Sequence, residues 1–415
     1  MEVSEARLRR DIESNAEFGS VPVEDGHART VLTGTDANRA AREFFIERCR
    51  DAGMTVSVDA VGNIVARWVP ESADPDADPV AAGSHLDSVP EGGIFDGPLG
   101  VYAALESVRA IQEADIELAR PVEVVTLTEE EGQRFGGGLV GSAVAAGDMT
   151  VEEAHELSDD GQTLREALDD IGFLGEGAID ASEWDAWLEL HIEQGTRLED
   201  AGIAAGIVTS ITGLSRCAIE VSGEADHAGT TPMGQRADAL AAASEFVLDV
   251  EDAANETVAV ESSSAVGTVG KVGVGPNAPN VIPGNVDLSL DVRDVNPDAI
   301  ESIVDRARAS LARIEEDRDV EITFERPWHR DPVPMSDRVR DAFSAASESA
   351  GVAATAMHSG AAHDTMFMAQ VTDAGLLFAP SRDGISHNPT EWTDWEDCAA
   401  ATRVLAGAIA HLASD

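Results

Sequence analysis

Five residues between positions 85 and 387 carry side chains that suit a metal centre. They are His85, Asp96, Glu131, His191 and His387. Three imidazoles and two carboxylates are ligands that two borderline cations such as Zn²⁺ prefer, with a water molecule between the ions. The pattern therefore predicts a hydrolase that activates water with bound metal ions.

An acidic triplet, Glu129-Glu130-Glu131, follows a predicted strand and precedes Gly132. Adjacent carboxylates repel one another, so such a run by itself indicates a solvated loop. Beside a metal ion the interpretation changes, because one carboxylate can bind the ion while its neighbour accepts the proton of the activated water. The spacing does not determine which glutamate has which role.

His85 follows the predicted strand 80–83, so its imidazole is expected at the carboxyl end of that strand, where open α/β sheets build their sites. Asp87 is expected to hydrogen-bond the second imidazole nitrogen, which would set the tautomer of the ring. Asp96 begins a Gly-Pro-Leu-Gly turn, from which its carboxylate could bridge two ions. A His-x-Asp pair alone is weak evidence, since an isolated histidine is more often solvated or structural.

The elements that must position these residues form an alternating pattern. Apolar strands are predicted at 55–57, 64–68, 80–83, 123–127 and 187–191, and helices at 36–52, 100–114, 142–146 and 164–171. Alternating helices and apolar strands predict an α/β fold with a central sheet covered by helices on both faces.

The pattern changes near residue 211. Strands are predicted at 217–221, 258–274 (one strand or a pair), 286–292 and 320–324, with helices at 235–252 and 297–315. This β-α-β-β-α-β order is ferredoxin-like. The chain then returns to the first pattern, with a strand at 375–379 and a helix at 395–411. We therefore expect a catalytic domain of residues 1–210 and 328–415, and an inserted domain of residues 211–327.

Composition constrains the class of protein. A chain of 415 residues is longer than a single domain usually is, and this length favours two domains. There are 78 acidic against 28 basic residues, a formal charge of −50, and Lys271 is the single lysine. The acidic residues are spread over the chain without a calcium-binding loop pattern, and the charge argues against nucleic-acid binding. Molar salt shortens the screening length to ~3 Å, so this composition is typical of proteins from extreme halophiles.

The expected location is a reducing cytoplasm. Cys49, Cys217 and Cys398 are widely spaced, which favours buried thiols over disulfides. No apolar run is long enough to span a membrane, and residues 1–20 lack the apolar core of a signal peptide.

Taken together, these phrases resemble the hydantoinase/carbamoylase branch of the M20 metallopeptidase-like superfamily. The resemblance covers nearly the whole chain, from Phe18-Gly19 and residues 59–63 to the phrase at 384–389. It implies an M20-type catalytic domain, an inserted lid and dimerisation domain, and a homodimer.

The resemblance also implies roles for the residues of the metal centre. His85 and His191 would bind one ion, Glu131 and His387 the other, and Asp96 would bridge them. The register of the Glu-Glu-Gly motif implies that Glu130 is the base. The two divalent ions would be Zn²⁺ first, with Mn²⁺, Co²⁺ or Ni²⁺ as alternatives. Glu129 departs from the family, which more often has asparagine there, and adds a charge beside the base.

On the substrate side, the resemblance implies that His227 stabilises the oxyanion of the tetrahedral intermediate. Asn280 and Arg293 would bind the carboxylate of the substrate, because a guanidinium can grip a carboxylate through two hydrogen bonds. On sequence alone, His227 and Arg293 could equally be ordinary surface residues. Further implied substrate contacts are Gln194, Ser359, Gly360 and His363, beside Asp364.

The implied reaction is hydrolysis of the carbamoyl group of an N-carbamoyl-L-amino acid to the amino acid, ammonia and carbon dioxide. Three alternatives stay open: an allantoate amidohydrolase with the same metal ligands, an M20 peptidase or deacylase, and a non-catalytic binding or scaffold protein. The phrase His191-Ile192-Glu193-Gln194-Gly195 favours the carbamoylase branch over the peptidases.

Overall fold

The structure is a computed structural model that describes residues 1–414. The helices are α1 (Glu5–Ala16), α2 (Asp36–Asp51), α3 (Pro98–Glu113), α4 (Val140–Ala145), α5 (Val151–Glu156), α6 (Leu164–Asp170), α7 (Arg197–Ala201), α8 (Ala239–Val260), α9 (Pro297–Arg318), α10 (Asp337–Ala350), α11 (Thr365–Met368) and α12 (Trp395–Ala413). Short 3₁₀ turns lie at Ala181–Glu183, Met233–Gln235 and Arg382–Gly384.

The strands are β1 (Ser20–Val21), β2 (Ala28–Arg29), β3 (Thr55–Val58), β4 (Ile64–Trp68), β5 (Val80–His85), β6 (Val122–Leu127), β7 (Ser158–Asp159), β8 (Gln162–Thr163), β9 (Ala186–Ile192), β10 (Ala205–Ile211), β11 (Gly213–Ser222), β12 (Asp226–His227), β13 (Val266–Gly275), β14 (Val281–Ile282), β15 (Asn285–Asp294), β16 (Glu321–Arg330), β17 (Val333–Pro334), β18 (Ala354–Ser359) and β19 (Ala374–Ala379).

The chain divides into two compact units. The first consists of Met1–Thr209 and the chain from Pro334 onward, and the second is Ser210–Val333. The second unit is therefore an insertion in the sequence of the first.

The first unit is built around a mixed sheet with the strand order β17-β10-β19-β9-β5-β6-β4-β3, and β18 pairs with β10. The central strands β19, β9, β5 and β6 are parallel neighbours and are buried along their whole length. Strands buried on both faces need helices on both faces. Helices α3 and α12 contribute extensively to the core that packs against this sheet. The predicted α/β fold with a central sheet flanked by helices is confirmed.

The second unit contains a four-stranded antiparallel sheet with the strand order β13-β15-β11-β16, and a separate two-stranded antiparallel sheet of β12 and β14. Inward residues of β11 and β15 form an apolar core with the long helices α8 and α9. Apart from the two-residue strands β12 and β14, the element order β11-α8-β13-β15-α9-β16 follows the predicted β-α-β-β-α-β order.

The predicted strand or strand pair over 258–274 is wrong at its beginning. Helix α8 continues to Val260, and β13 begins at Val266. The β-branched residues Val258 and Val260 suggest a strand, but they are exposed, whereas the buried Val250, Ala254 and Thr257 follow the helical period. Tertiary burial thus outweighs local β propensity at this point.

Candidate metal centre

Three neighbouring parallel strands bring the first candidate ligands together. Strand β5 lies between β6 and β9, so the carboxyl ends of all three meet at one edge of the sheet. His85 is the last residue of β5, His191 is the penultimate residue of β9, and the acidic triplet follows β6. This edge is where ligands bind in open α/β sheets.

Asp96 lies at the centre of the three histidines. Its Oδ1 is 3.1 Å from His191 Nε2 and 3.5 Å from His85 Nε2. Its Oδ2 is 3.5 Å from His387 Nε2. One oxygen thus faces two imidazoles and the other faces the third.

The acidic triplet supplies two carboxylates to this cluster. Glu131 Oε2 is 3.3 Å from His387 Nε2, and Glu130 Oε2 is 3.7 Å from His85 Nε2. The structure therefore brings all five predicted ligands together with Glu130. They form three overlapping groups in which the candidate ligand atoms lie within 4.8 Å of one another: His85, Asp96 and His191; His85, Glu130 and Glu131; and Asp96, Glu131 and His387.

These donors fit divalent cations. Ligand atoms bound tetrahedrally to Zn²⁺ at 2.0–2.2 Å lie roughly 3.3–3.6 Å apart, close to the spacing around Asp96. His85 Nε2 and Glu131 Oε1 are buried without a hydrogen-bond partner, although buried polar atoms nearly always have one. A bound ion would satisfy both atoms.

The electrostatics of the cluster also favour a cation. Burial, reinforced by Asp96, raises the pKa of Glu131 to about 8, and burial raises the pKa of Glu130 well above its usual range. Burial alone would lower the pKa of His85. The nearby carboxylates of Glu130 and Asp96 have the larger combined effect and raise that pKa above its usual value. The carboxylates are thus crowded together and buried away from water. A divalent ion at this point would stabilise their charged forms.

Main-chain carbonyls orient two of the imidazoles. His85 Nδ1 is 3.2 Å from the carbonyl oxygen of Asp87, and His191 Nδ1 is 3.0 Å from that of Ile192. With protons on both Nδ1 atoms, Nε2 of each ring is available to a metal ion, which is the usual arrangement of metal-binding histidines.

The Asp87 carboxylate does not make the predicted hydrogen bond to His85. Its Oδ1 is 3.7 Å from His85 Nδ1, beyond hydrogen-bond distance, because the main-chain carbonyl of Asp87 takes that place. The carboxylate instead accepts the backbone N–H of Glu131 at 3.1 Å and that of Glu130 at 3.4 Å. Asp87 therefore holds the backbone of the candidate base and ligand.

The carboxylate of Glu129 does not add a free charge beside Glu130, because it binds the backbone of the loop that follows. Its Oε1 accepts the backbone N–H groups of Arg134 and Phe135 at 2.7 and 2.8 Å, from a left-handed backbone with φ 58°. Burial raises the pKa of Glu129, and Asp87 acts in the same direction. The additional acidic residue thus stabilises the loop that follows the triplet.

Gln194 and Ser386 both contact the carboxylate of Asp96. Gln194 Nε2 donates to Asp96 Oδ2 at 3.2 Å, and Ser386 Oγ donates to the same oxygen at 2.6 Å. Gln194 and His387 adopt left-handed backbone conformations, φ 57° and 56°, that non-glycine residues rarely adopt outside functional sites and tight turns. Gln194 is a predicted substrate contact, whereas Ser386 is not among the predicted site residues, although it directly precedes the predicted ligand His387.

Two further predicted residues of the first unit, His363 and Ser359, lie beside this cluster. His363 is buried, its ring centre is 4.6 Å from that of His191, and its Nε2 lies 3.0 Å from Ser359 Oγ. Burial, reinforced by His191, holds the pKa of His363 well below its usual value, so this ring is neutral. Gly360 is exposed. His363 and Ser359 therefore pack behind a candidate ligand.

The predicted substrate residues His227, Asn280 and Arg293 all lie in the second unit. Strands β12 and β14 pair His227 with Val281, and the N–H of Ala228 donates to the Asn280 carbonyl at 3.0 Å, so His227 and Asn280 are neighbours. Both residues are exposed.

The tautomer of His227 follows from one hydrogen bond. The backbone N–H of Gly229 donates to His227 Nδ1 at 3.0 Å. A neutral ring with an accepting Nδ1 carries its proton on Nε2, and so presents Nε2–H as a hydrogen-bond donor.

Arg293 lies on β15 and is partly exposed. Its Nε donates to Asp291 Oδ1 at 2.9 Å. The guanidinium is thus oriented by a neighbouring carboxylate on the same strand.

Comparison with known proteins defines the class. The family model of the peptidase family M20/M25/M40 matches residues 81–411. The chain belongs to this family, and the resemblance to its hydantoinase/carbamoylase branch is confirmed.

Several relatives that match along most of the chain are amidohydrolases. The N-carbamoyl-L-amino acid amidohydrolase of Geobacillus stearothermophilus is 38% identical over 96% of each chain. The allantoate amidohydrolase of Bacillus subtilis is 35% identical over 87% of each chain. A solved amidase of the hydantoinase/carbamoylase family from Burkholderia multivorans superposes with a TM-score of 0.93, at 36% identity over 100% of this chain and 99% of the other. The chain is accordingly a hydrolase of the amidohydrolase type.

Among the described residues, the helices are too short or too polar to cross a membrane.

Proposed function

We propose that this protein hydrolyses the carbamoyl group of N-carbamoyl-L-amino acids, releasing the amino acid, ammonia and carbon dioxide. The observation that carries the proposal is the convergence of three imidazoles on both oxygens of Asp96, next to Glu130 and Glu131. The similarity to an N-carbamoyl-L-amino acid amidohydrolase along the whole chain supports this substrate class over others.

The metal-binding residues would hold two divalent ions, with Zn²⁺ the first candidate and Mn²⁺, Co²⁺ or Ni²⁺ the alternatives. They are His85 and His191 for one ion, Glu131 and His387 for the other, and Asp96 for both. Bound divalent ions would acidify a water molecule and polarise the carbamoyl oxygen.

Glu130 would serve as the base. Its carboxylate faces the cluster at His85 and is not among the oxygens next to Asp96 and His387, so it is left to accept a proton. It would take the proton of the attacking water and deliver it to the leaving nitrogen. Asp87 would keep this carboxylate in place through the backbone of Glu130.

The second unit would recognise the substrate, as a lid and dimerisation domain. His227 would donate from Nε2 to the developing oxyanion. Arg293 and Asn280 would bind the carboxylate of the substrate, and an arginine already oriented by Asp291 loses less freedom on binding. Gln194, Ser359, Gly360 and His363 remain candidate substrate contacts, although Gln194 has a bond to Asp96 that supports a second role in the metal centre.

Allantoate is the second candidate substrate, because the Bacillus subtilis relative is an allantoate amidohydrolase. The same metal centre could hydrolyse either compound, and the difference would lie in the residues that recognise the substrate.

Ammonia release from a panel of substrates tests the proposal. The panel contains several N-carbamoyl-L-amino acids, one N-carbamoyl-D-amino acid, N-carbamoyl-β-alanine and allantoate, at molar KCl with each candidate metal. We expect the highest kcat/KM for an N-carbamoyl-L-amino acid. A higher value for allantoate would favour the second candidate, and no ammonia from any compound would contradict both.

We also propose a homodimer that functions at high salt in a reducing compartment, the cytoplasm. The net charge of −50 supports the salt requirement, and three buried free cysteines support the compartment. The dimer is inferred from the family resemblance.

A further inference from the structure

Two buried charged residues outside the predicted site hold the loop that carries Asp87 and Asp96. This loop, residues 86–97, connects β5 to α3. The two residues are Arg29, which is 0% exposed, and Glu391, which is 1% exposed. Fully buried charged side chains are rare because leaving water is costly, so their contacts need an explanation.

Arg29 binds the loop through its carbonyl groups. Its Nη2 donates to the carbonyl oxygens of Leu86 at 3.1 Å and Asp87 at 3.3 Å, and its Nε donates to that of Gly93 at 3.2 Å. The guanidinium therefore links the segment directly after His85 to the segment directly before Asp96.

Glu391 binds the same loop through its N–H groups. Its Oε1 accepts the backbone N–H of Phe95 at 2.9 Å and that of Asp96 itself at 3.0 Å. Backbone hydrogen bonds to a carboxylate are stronger than those to a neutral acceptor. The position of the Asp96 main chain is thus set by a side chain that lies four residues after His387.

The packing leaves this loop little freedom. A Cβ atom on Gly93 would lie 2.3 Å from Cδ and Oε1 of Glu391, and a Cβ atom on Gly97 would lie 2.5 Å from Cε1 of His85. The loop is therefore closely packed against Glu391 at one end and against the imidazole of His85 at the other.

Arg29 and Glu391 each keep one buried polar atom without a hydrogen-bond partner, Nη1 and Oε2. Glu391 is not among the candidate metal-binding groups, and the guanidinium of Arg29 has no lone pair to offer a cation. The hydrogen bonds of both side chains to the main chain of this loop therefore indicate a role in holding the loop.

We infer that Glu391, assisted by Arg29, is a positioning residue that sets the distance between the Asp96 carboxylate and the imidazoles, and thereby the affinity of the metal centre. This inference rests on the metal centre of the proposed function. Partners that orient metal ligands typically contribute 10–100-fold to metal affinity or activity, because a misplaced ligand cannot meet the geometry of the ion.

The test compares Glu391→Ala, Glu391→Gln and the exposed control Glu396→Ala. Metal-free full-length proteins are titrated with Co²⁺ by equilibrium dialysis, the Co²⁺ absorption spectrum is recorded, and kcat and KM are measured after loading. We expect Glu391→Ala to weaken Co²⁺ binding by about 10–100-fold, to change the absorption bands, and to lower kcat more than it changes KM.

Glu391→Gln should restore most of the affinity, because a carboxamide oxygen can accept the same two N–H groups. Glu396→Ala should behave like the wild type. Wild-type Co²⁺ affinity and spectrum in Glu391→Ala would overturn the inference, and so would an equal loss in Glu391→Gln, since that variant keeps the acceptor.

If the near-ultraviolet circular dichroism of Glu391→Ala indicates that it does not fold, Gly93→Ala takes its place, because the added Cβ displaces the Glu391 carboxylate from the loop. Wild-type Co²⁺ binding by Gly93→Ala would then overturn the inference. Wild-type protein that takes up no Co²⁺ would contradict the proposed function instead, so the two failures are distinguishable.

Discussion

At the scale of single residues, Glu130 and Glu131 are adjacent and both lie near His85, but the imidazole closest to each carboxylate is different. Glu131 lies against His387 and Asp96, whereas Glu130 faces His85 at the longer distance of 3.7 Å. The backbone N–H groups of both are held by one carboxylate, that of Asp87. This difference separates a candidate ligand from a candidate base within two consecutive positions.

Glu130→Gln should lower kcat by about 10²–10⁴-fold while the protein keeps its metal ions. The amide has nearly the same shape as the carboxylate but cannot accept the proton of the attacking water. The measurement is ammonia release together with elemental analysis of the same sample, with the exposed Glu176→Gln as control. Near-normal turnover by metal-loaded Glu130→Gln would show that another group is the base.

At the scale of elements, the connection from β5 to α3 determines the shape of the site. Gly97 is the N-cap of α3 with φ 81°, and its Cα faces the His85 ring so closely that a Cβ would lie 2.5 Å from Cε1. Gly147 has a similar φ of 75° but open space around it. Both glycines have a positive φ. A side chain at Gly97 would collide with His85, whereas a side chain at Gly147 would contact no other residue.

Gly97→Ala should therefore weaken metal binding by at least tenfold, whereas Gly147→Ala should affect only stability, by about 1 kcal/mol. The strain of a left-handed alanine is common to both variants, and displacement of His85 occurs in the first alone. Metal titration of the two metal-free proteins, with thermal unfolding curves, separates these effects. Equal metal affinities in both variants would contradict the placement of His85 in the site.

The sequence allowed much of this architecture to be predicted. Buried parallel strands are continuous apolar runs, so β5, β6 and β9 were recognisable. The five candidate ligands lie in short phrases of unusual chemistry, and the structure brings them together. The hydrogen bond predicted for Asp87 failed because the sequence does not reveal whether its carbonyl or its carboxylate faces the imidazole.

Other features could not be predicted for a different reason. Arg29 and Glu391 are single charged residues far apart in a chain with 106 charged Asp, Glu, Lys and Arg side chains (78 acidic and 28 basic), and only the fold shows that these two are buried around one loop. The end of α8 was missed because local β propensity at Val258 and Val260 competes with a helical burial pattern.

At the scale of the whole molecule, the excess of acidic residues dominates the energetics. A formal charge of −50 opposes the compact state through self-repulsion, and the effect weakens as salt shortens the screening length. Many arginines form ion pairs with carboxylates, such as Arg313 with Glu245 and Asp249, which offset only part of this repulsion.

We expect the free energy of unfolding to rise steadily between 0.1 and 3 M KCl, concentrations at which the screening length falls from about 10 Å to below about 3 Å. Urea titrations at each salt concentration measure this dependence. A variant with the exposed glutamates Glu24, Glu43, Glu251 and Glu316 changed to glutamine should depend less on salt. Full stability of the wild type in dilute buffer would contradict the proposed salt requirement.

The central claim is that this chain hydrolyses N-carbamoyl-L-amino acids with divalent ions held around Asp96. Removal and return of the metal tests it most directly, with ammonia release from an N-carbamoyl-L-amino acid as the readout at molar KCl. We predict about two ions per chain in the active protein, loss of ammonia release after dialysis against a chelator, and recovery when Zn²⁺, Mn²⁺, Co²⁺ or Ni²⁺ is returned. Undiminished ammonia release by the metal-free protein, or none by the fully loaded protein, would contradict the account.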